Sequence, residues 1–227
     1  MSHRLESWIK AYLQTVTSLF GVRLLFVGLQ GSYGRDEATE SSDIDMVLIL
    51  DTVSAQDLKA YDEAISKLPL REIMCGFMSG RHELFCWNKA DLFQFYHDTT
   101  PLLGDLRDLL PEIGEDDIRR SILMGACNIY HACAHNMVHE KDPAILKSLY
   151  KAAVFVVQAL HYHRTGIYLK KRCDLLIAVP PRERQLLSAY ARIKDSRPDR
   201  DFDFAALSES LFVWVGKLIQ EYGKAQS

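Results

Sequence analysis

No C-x-x-C pair occurs among the five cysteines, at positions 75, 86, 127, 133 and 173. Their number is odd, so no disulfide framework is indicated, and reduced thiols of a cytosolic protein are expected. No apolar run approaches the ~18 residues of a membrane span. The stretch Met1-Ser2-His3-Arg4-Leu5-Glu6 shows no signal-peptide pattern, and a cytoplasmic location is predicted. Neither sign of charge dominates: 27 Lys and Arg stand against 30 Asp and Glu, a net charge of −3. That excludes a generally basic nucleic-acid coat and leaves only a local basic groove open. Internal repeats and low-complexity segments are absent as well.

What is present is a chain of 227 residues, 48% of them hydrophobic. At roughly 150 residues per domain this is one large domain or two small ones, with enough apolar residues for a sizeable core. The charge is uneven. Residues 1–110 carry 10 basic and 16 acidic residues, whereas residues 111–227 carry 17 and 14. The change coincides with a change of pattern near Pro111.

Residues 5–19 place Leu5, Trp8, Ile9, Tyr12, Leu13, Val16 and Leu19 at helical spacing. The short apolar run 24–29 and the aliphatic run 43–50 read as buried strands. Ser54 caps a helix over 54–67. The pattern predicts a third strand over 70–77, a short helix over 82–91 and a fourth strand over 92–97. Strands alternating with helical segments indicate an α/β or α+β sheet domain. After Pro111 the strand signal fades. Helices are predicted over 118–138 and 143–165, the latter with Pro143 in its first turn and Gly166 at its end. Two more follow at 181–195 and 204–223, with a connecting loop from Asp195 to Asp203, so the second half reads as a helical bundle.

The informative segment runs from Gly31-Ser32-Tyr33-Gly34-Arg35 to Ser42-Asp43-Ile44-Asp45. It joins the end of one buried strand to the start of the next. A Gly-Ser turn there offers backbone N–H groups and a small hydroxyl to a phosphate, with Arg35 within reach of the same oxygens. Asp43 and Asp45 are two apart on a strand, so their side chains share a face. Two such carboxylates repel each other unless a hard cation sits between them, which suits Mg²⁺ or Mn²⁺. Metal next to phosphate points to metal-assisted phosphoryl or nucleotidyl transfer.

In this order, Gly31-Ser32 and then Asp43-x-Asp45 before an aliphatic strand, the motif resembles the signature of the DNA polymerase beta-like nucleotidyltransferase superfamily. The helical half, and the segment Phe95 to Gly104, make the chain similar to the kanamycin nucleotidyltransferase type. The resemblance implies an α+β catalytic domain over 1–110, a short mixed sheet with flanking helices, followed by an all-α substrate-binding bundle over 111–227. It also implies a third carboxylate on a neighbouring strand. Glu72 is the first candidate and Asp98, expected at the end of the fourth strand, is its rival. Asp43, Asp45 and Glu72 would then hold two Mg²⁺ (or Mn²⁺) ions. Gly31, Ser32 and Arg35 would bind the nucleotide, ATP being the expected donor, and an acceptor hydroxyl in the cleft between the domains would displace pyrophosphate.

Cys127, His131, His135 and His139 form a stripe on the helix 118–138. They read as lining or core residues rather than zinc ligands, since no H-E-x-x-H pattern accompanies them. His131, His135 or Glu140 could act as general base on the acceptor. Lys170-Lys171-Arg172 is read as a solvated basic run, not a nucleic-acid site. The bundle is also distantly similar to HEPN domains, but no Arg in 111–227 has a His four to six residues later, which disfavours RNA cleavage. Two rival readings remain: a toxin–antitoxin-like regulator that adenylylates a partner protein, and a silent nucleotide-binding module. The charge balance of the second half predicts a neutral or anionic acceptor rather than an aminoglycoside.

Overall fold

The computed structural model describes residues 3–40, 42–194 and 202–224. The chain divides into two compact units, 1–112 and 113–227. The expected loop from 195 to 203 lies almost wholly outside the described residues.

In the first unit the strands are β1 (Leu24–Leu29), β2 (Ile44–Leu50), β3 (Met74–Gly80) and β4 (Thr100–Leu103), and the helices are α1 (His3–Phe20), α2 (Gly31–Gly34), α3 (Ala55–Ile65), α4 (Arg81–Phe85) and α5 (Lys89–Asp98). The sheet order is β3-β2-β1-β4. β1 runs antiparallel to both β2 and β4, while β2 and β3 are parallel. It is therefore a small mixed sheet with helices. Ile44, Met46, Leu48 and Leu50 of β2 join Trp8, Tyr12 and Val16 of α1 and Ile65 of α3 in one buried cluster. By the two-residue period of a strand, Asp45, Val47 and Ile49 point to the other face. Phe77 is in register with Val47 and its ring meets Phe95 of α5, so α5 covers that other face.

Two sequence expectations need correction here. The residues 92–97, read as a strand, belong to helix α5. The Asn88 side chain caps it by accepting from the Ala90 N–H at 3.1 Å, and Ala90, Leu92, Phe93 and Asp98 are its buried residues. An N-cap in front of a short apolar run outweighs weak alternation. The fourth strand comes later, and Pro101 fits there because β4 is an edge of the sheet. The third strand also starts later than read. Leu70 takes a left-handed conformation (φ 63°), Arg71–Ile73 form a single 3-10 turn, and β3 begins only at Met74.

The second unit contains the long helices α6 (Glu115–His135), α7 (Pro143–Thr165), α9 (Pro181–Lys194) and α10 (Phe204–Gly223), with the short α8 (Arg172–Ala178). It is mainly helical, as the sequence indicates. α6 ends three residues before the predicted limit and passes into a π turn at Asn136–Glu140. Asn136 is buried there and exchanges two bonds with the Asp142 backbone, at 3.0 and 2.9 Å. α8 was not expected. Its last carbonyls are satisfied by the Arg184 guanidinium, which donates to Leu176, Ile177 and Val179 at 3.1 to 3.2 Å. α7 is, by length and composition, apolar enough to cross a membrane, against the sequence reading that no run comes close. More than half of that window is buried within the protein, which is what a core helix shows.

Candidate active site

β1 and β2 are antiparallel neighbours, so the end of β1 and the start of β2 lie at the same edge of the sheet. The Gly31–Gly34 turn follows the first and Asp43 precedes the second. The Gln30 N–H donates to the Asp45 carbonyl at 2.8 Å and pins the two together. Gly31 has φ 65°, and a Cβ placed on it would collide with the Asp45 carboxylate. Only glycine allows the turn to close against that carboxylate, and only glycine takes this φ without strain. Asp43 is exposed and Asp45 half-buried. The hydroxyl-bearing Ser32 and the two carboxylates thus stand at one edge, in the order Gly-Ser turn, then acidic strand.

The other expected site residues are placed differently. Arg35 is buried, and its guanidinium faces inward: Nε meets Glu37 Oε2 and Nη1 meets Asp98 Oδ2, both at 3.3 Å. It anchors the turn. Asp98 ends helix α5, not a strand, and is buried as the partner of Arg35. Thr100 reinforces the anchor by donating its hydroxyl to the Gly34 carbonyl at 3.0 Å. Glu72 sits in the exposed 3-10 turn before β3. The strand residue level with Asp45 is Cys75. Among the described residues no group of three or more His, Cys, Asp or Glu is close enough to share a metal ion, so Glu72 is not assembled with the two aspartates. The donor set nevertheless fits a hard cation of the Mg²⁺ kind, which is commonly held by one or two carboxylates with substrate phosphates completing its shell.

In the second unit Cys127, His131, His135 and His139 are all exposed. His135 Nε2 lies 3.3 Å from Glu140 Oε1, and the His135 and His139 rings stand 4.8 Å apart. Two of the three general-base candidates therefore engage each other.

Sequence reasoning overlooked the aromatic group beside the site. Phe77 packs edge-on against Trp87 (5.5 Å) and Phe95 (5.1 Å). Also on α5, where its ring packs against Phe93 and Tyr96, burial pushes the His97 imidazole down to about 4, so this ring is neutral at physiological pH. The signal that could have found the group is the helical reading of 89–98, which places Phe95 over the sheet. A separate cavity of about 230 Å³ opens between α3 and β3, lined by Tyr61, Ile65 and Met74 among others. Its lining also takes in Cys75, Gly76 and Phe77 of β3.

Residues 9–80 match the family described as nucleotidyltransferase domain. No curated protein matches the sequence. Among solved structures, the spectinomycin adenyltransferase of Enterococcus faecialis, determined with ATP and spectinomycin, is similar with a TM-score of 0.59 and 12% identity. The match covers 96% of this chain and 99% of that one, and both the sheet unit and the helical unit fall within it. Residues 9–80 are thus similar to the nucleotidyltransferase domain family, and the chain as a whole shares the fold of that adenyltransferase, a sheet unit first and a helical unit second.

Proposed function

We propose that the protein transfers a nucleoside monophosphate, AMP from ATP, to a hydroxyl group of an acceptor. The observation that carries this reading is the apposition of Gly31 and Asp45, which sets a phosphate-sized turn against a carboxylate pair. The Gly31–Ser32 turn would seat the β- and γ-phosphates, with the Ser32 hydroxyl donating to an oxygen. Asp43 and Asp45 would hold Mg²⁺ or Mn²⁺ against the triphosphate. The metal, when bound, supplies charge neutralisation on the phosphates and lowers the barrier to losing pyrophosphate. The acceptor oxygen forms the new bond to the α-phosphorus as the bond to pyrophosphate breaks. The hydroxyl proton leaves to a base. Positioning and electrostatics supply most of the rate in such transfers. ATP as donor is supported by the similar enzyme, whose structure contains it. The acceptor is proposed to be neutral or anionic, from the charge balance of the helical unit.

The test is incubation with α-labelled ATP, Mg²⁺ and a panel of acceptor alcohols. Label should move to an acceptor with release of pyrophosphate. Asp43→Asn and Asp45→Asn should each lower the rate by at least about a hundredfold, the usual scale for removing one electrostatic contact to the reacting group. Glu72→Gln should stay within about threefold, since Glu72 is not grouped with the pair among the described residues. Near-normal transfer by either Asp variant would overturn the reading.

A further inference from the structure

The aromatic group beside the carboxylates has no part in holding phosphate, and its position along the sheet gives it a different task. We infer that Phe77, Trp87 and Phe95 form the platform on which a ring of the acceptor rests; this rests on the transfer reading above.

The argument is one of direction. The phosphate turn follows β1, the carboxylates stand on β2, and β3 lies on the far side of β2. In an in-line displacement the attacking oxygen enters opposite the leaving group. Pyrophosphate held at Gly31–Ser32 leaves toward β1, so the acceptor enters over β3. Level with Asp45 on β3 is Cys75, and the next side chain on the same face is Phe77. With strands ~4.8 Å apart and ~3.3 Å of rise per residue, Phe77 Cα lies roughly 8 Å from Asp45 Cα. The Trp87 indole in turn packs against the Phe77 ring, with centroids 5.5 Å apart. Phe77, the residue that carries the Trp87 contact, is thus two residues along β3 from the residue level with Asp45.

The side chains fit a ring and little else. Trp87 is 45% exposed although it packs on Phe77, so one part of a large aromatic surface is fixed and the rest is open. None of the four residues along this path, Cys75, Phe77, Trp87 and Phe95, is a carboxylate. A fixed, open indole next to apolar neighbours favours stacking with a neutral planar or apolar ring. The nucleobase is the competing occupant. It hangs from the α-phosphate through the ribose, off the in-line axis, and has no call on the β3 side.

Tryptophan fluorescence tests this directly, because Trp8 and Trp214 are only 4% and 2% exposed and iodide quenching reports Trp87. The protein is saturated with Mg²⁺ and α,β-methylene ATP and titrated with phenyl β-glucoside or methyl β-glucoside. Phenyl glucoside should shield Trp87 saturably and bind at least about tenfold more tightly than the methyl compound, as stacking on an aromatic implies. In calorimetric titrations, which need no tryptophan reporter and serve for both Trp87 variants, Trp87→Ala should weaken the phenyl glucoside by about tenfold with the affinity for the ATP analogue unchanged. Trp87→Phe should keep both within about threefold, which also shows that the fold survives. Equal binding of the two glucosides would overturn the inference. So would loss of nucleotide affinity in Trp87→Ala with acceptor binding intact, which would assign the platform to the base. Asp43→Asn should retain the shielding. Shielding without label transfer in the wild type would sink the transfer reading and leave the platform standing.

Discussion

At the scale of single residues, Arg35 is the most informative. Its place next to the phosphate turn suggests a ligand, yet its guanidinium is buried against Asp98 and Glu37. A buried pair is costly to break from one side, because the remaining charge stays desolvated. Arg35→Ala should therefore destabilise the first unit by about 3–5 kcal/mol. Replacing both partners, as in Arg35→Leu with Asp98→Leu, should recover most of that loss. Denaturant melts of the single and double variants check this. A phosphate ligand would behave otherwise: Arg35→Ala would leave stability alone and raise KM for ATP. No spacing rule could have told these apart, since both need an Arg near the turn. What decides is Asp98, which is remote in sequence and hidden in a segment misread as a strand.

At the scale of elements, the legible parts of the chain are those with a strong period or a cap. Helices α1, α7 and α10 and strands β1 and β2 agree with the sequence to within a residue or two, because their apolar spacing is unbroken. The errors fall where a local device overrides the pattern. Asn88 turns a run that looks alternating into α5. Leu70 in the left-handed region delays β3 and moves Glu72 out of the strand. At the end of α6 Asn136 replaces the continuing ladder with a π turn, by bonding twice to Asp142. Each such bond contributes about 0.5–1.5 kcal/mol net. Asn136→Ala should thus cost about 2 kcal/mol and loosen the stretch that carries His135, His139 and Glu140. Amide hydrogen exchange across 136–142 should rise in that variant and stay unchanged in α10.

At the scale of the whole molecule, the two units have separate cores. Leu48 is buried in the sheet unit and Leu160 in the helical unit. Chains with distinct cores need not unfold in a single step. Leu48→Ala and Leu160→Ala should each destabilise by about 2–5 kcal/mol, the range for emptying a buried leucine. Calorimetry should show each variant moving a different transition. The motif order was readable in the sequence because a glycine and two aspartates must sit at fixed distances along the chain. The aromatic group was not, because Phe77, Trp87 and Phe95 come together only once β3 and α5 are folded.

One feature of the sheet edge reaches beyond catalysis. The stretch between the phosphate turn and β2 begins and ends at points that are already joined, through the Gln30 to Asp45 bond and the Gly31 contact. Its middle, Ala38–Glu40, is exposed or half-exposed, and loop closure costs little more when a loop grows, about 0.6 kcal/mol per doubling. The two sides of the site are thus insulated from what hangs between them. For a protein engineer this makes the stretch a socket, where a peptide epitope or a fluorescent reporter can be spliced in beside the reacting groups without shifting them.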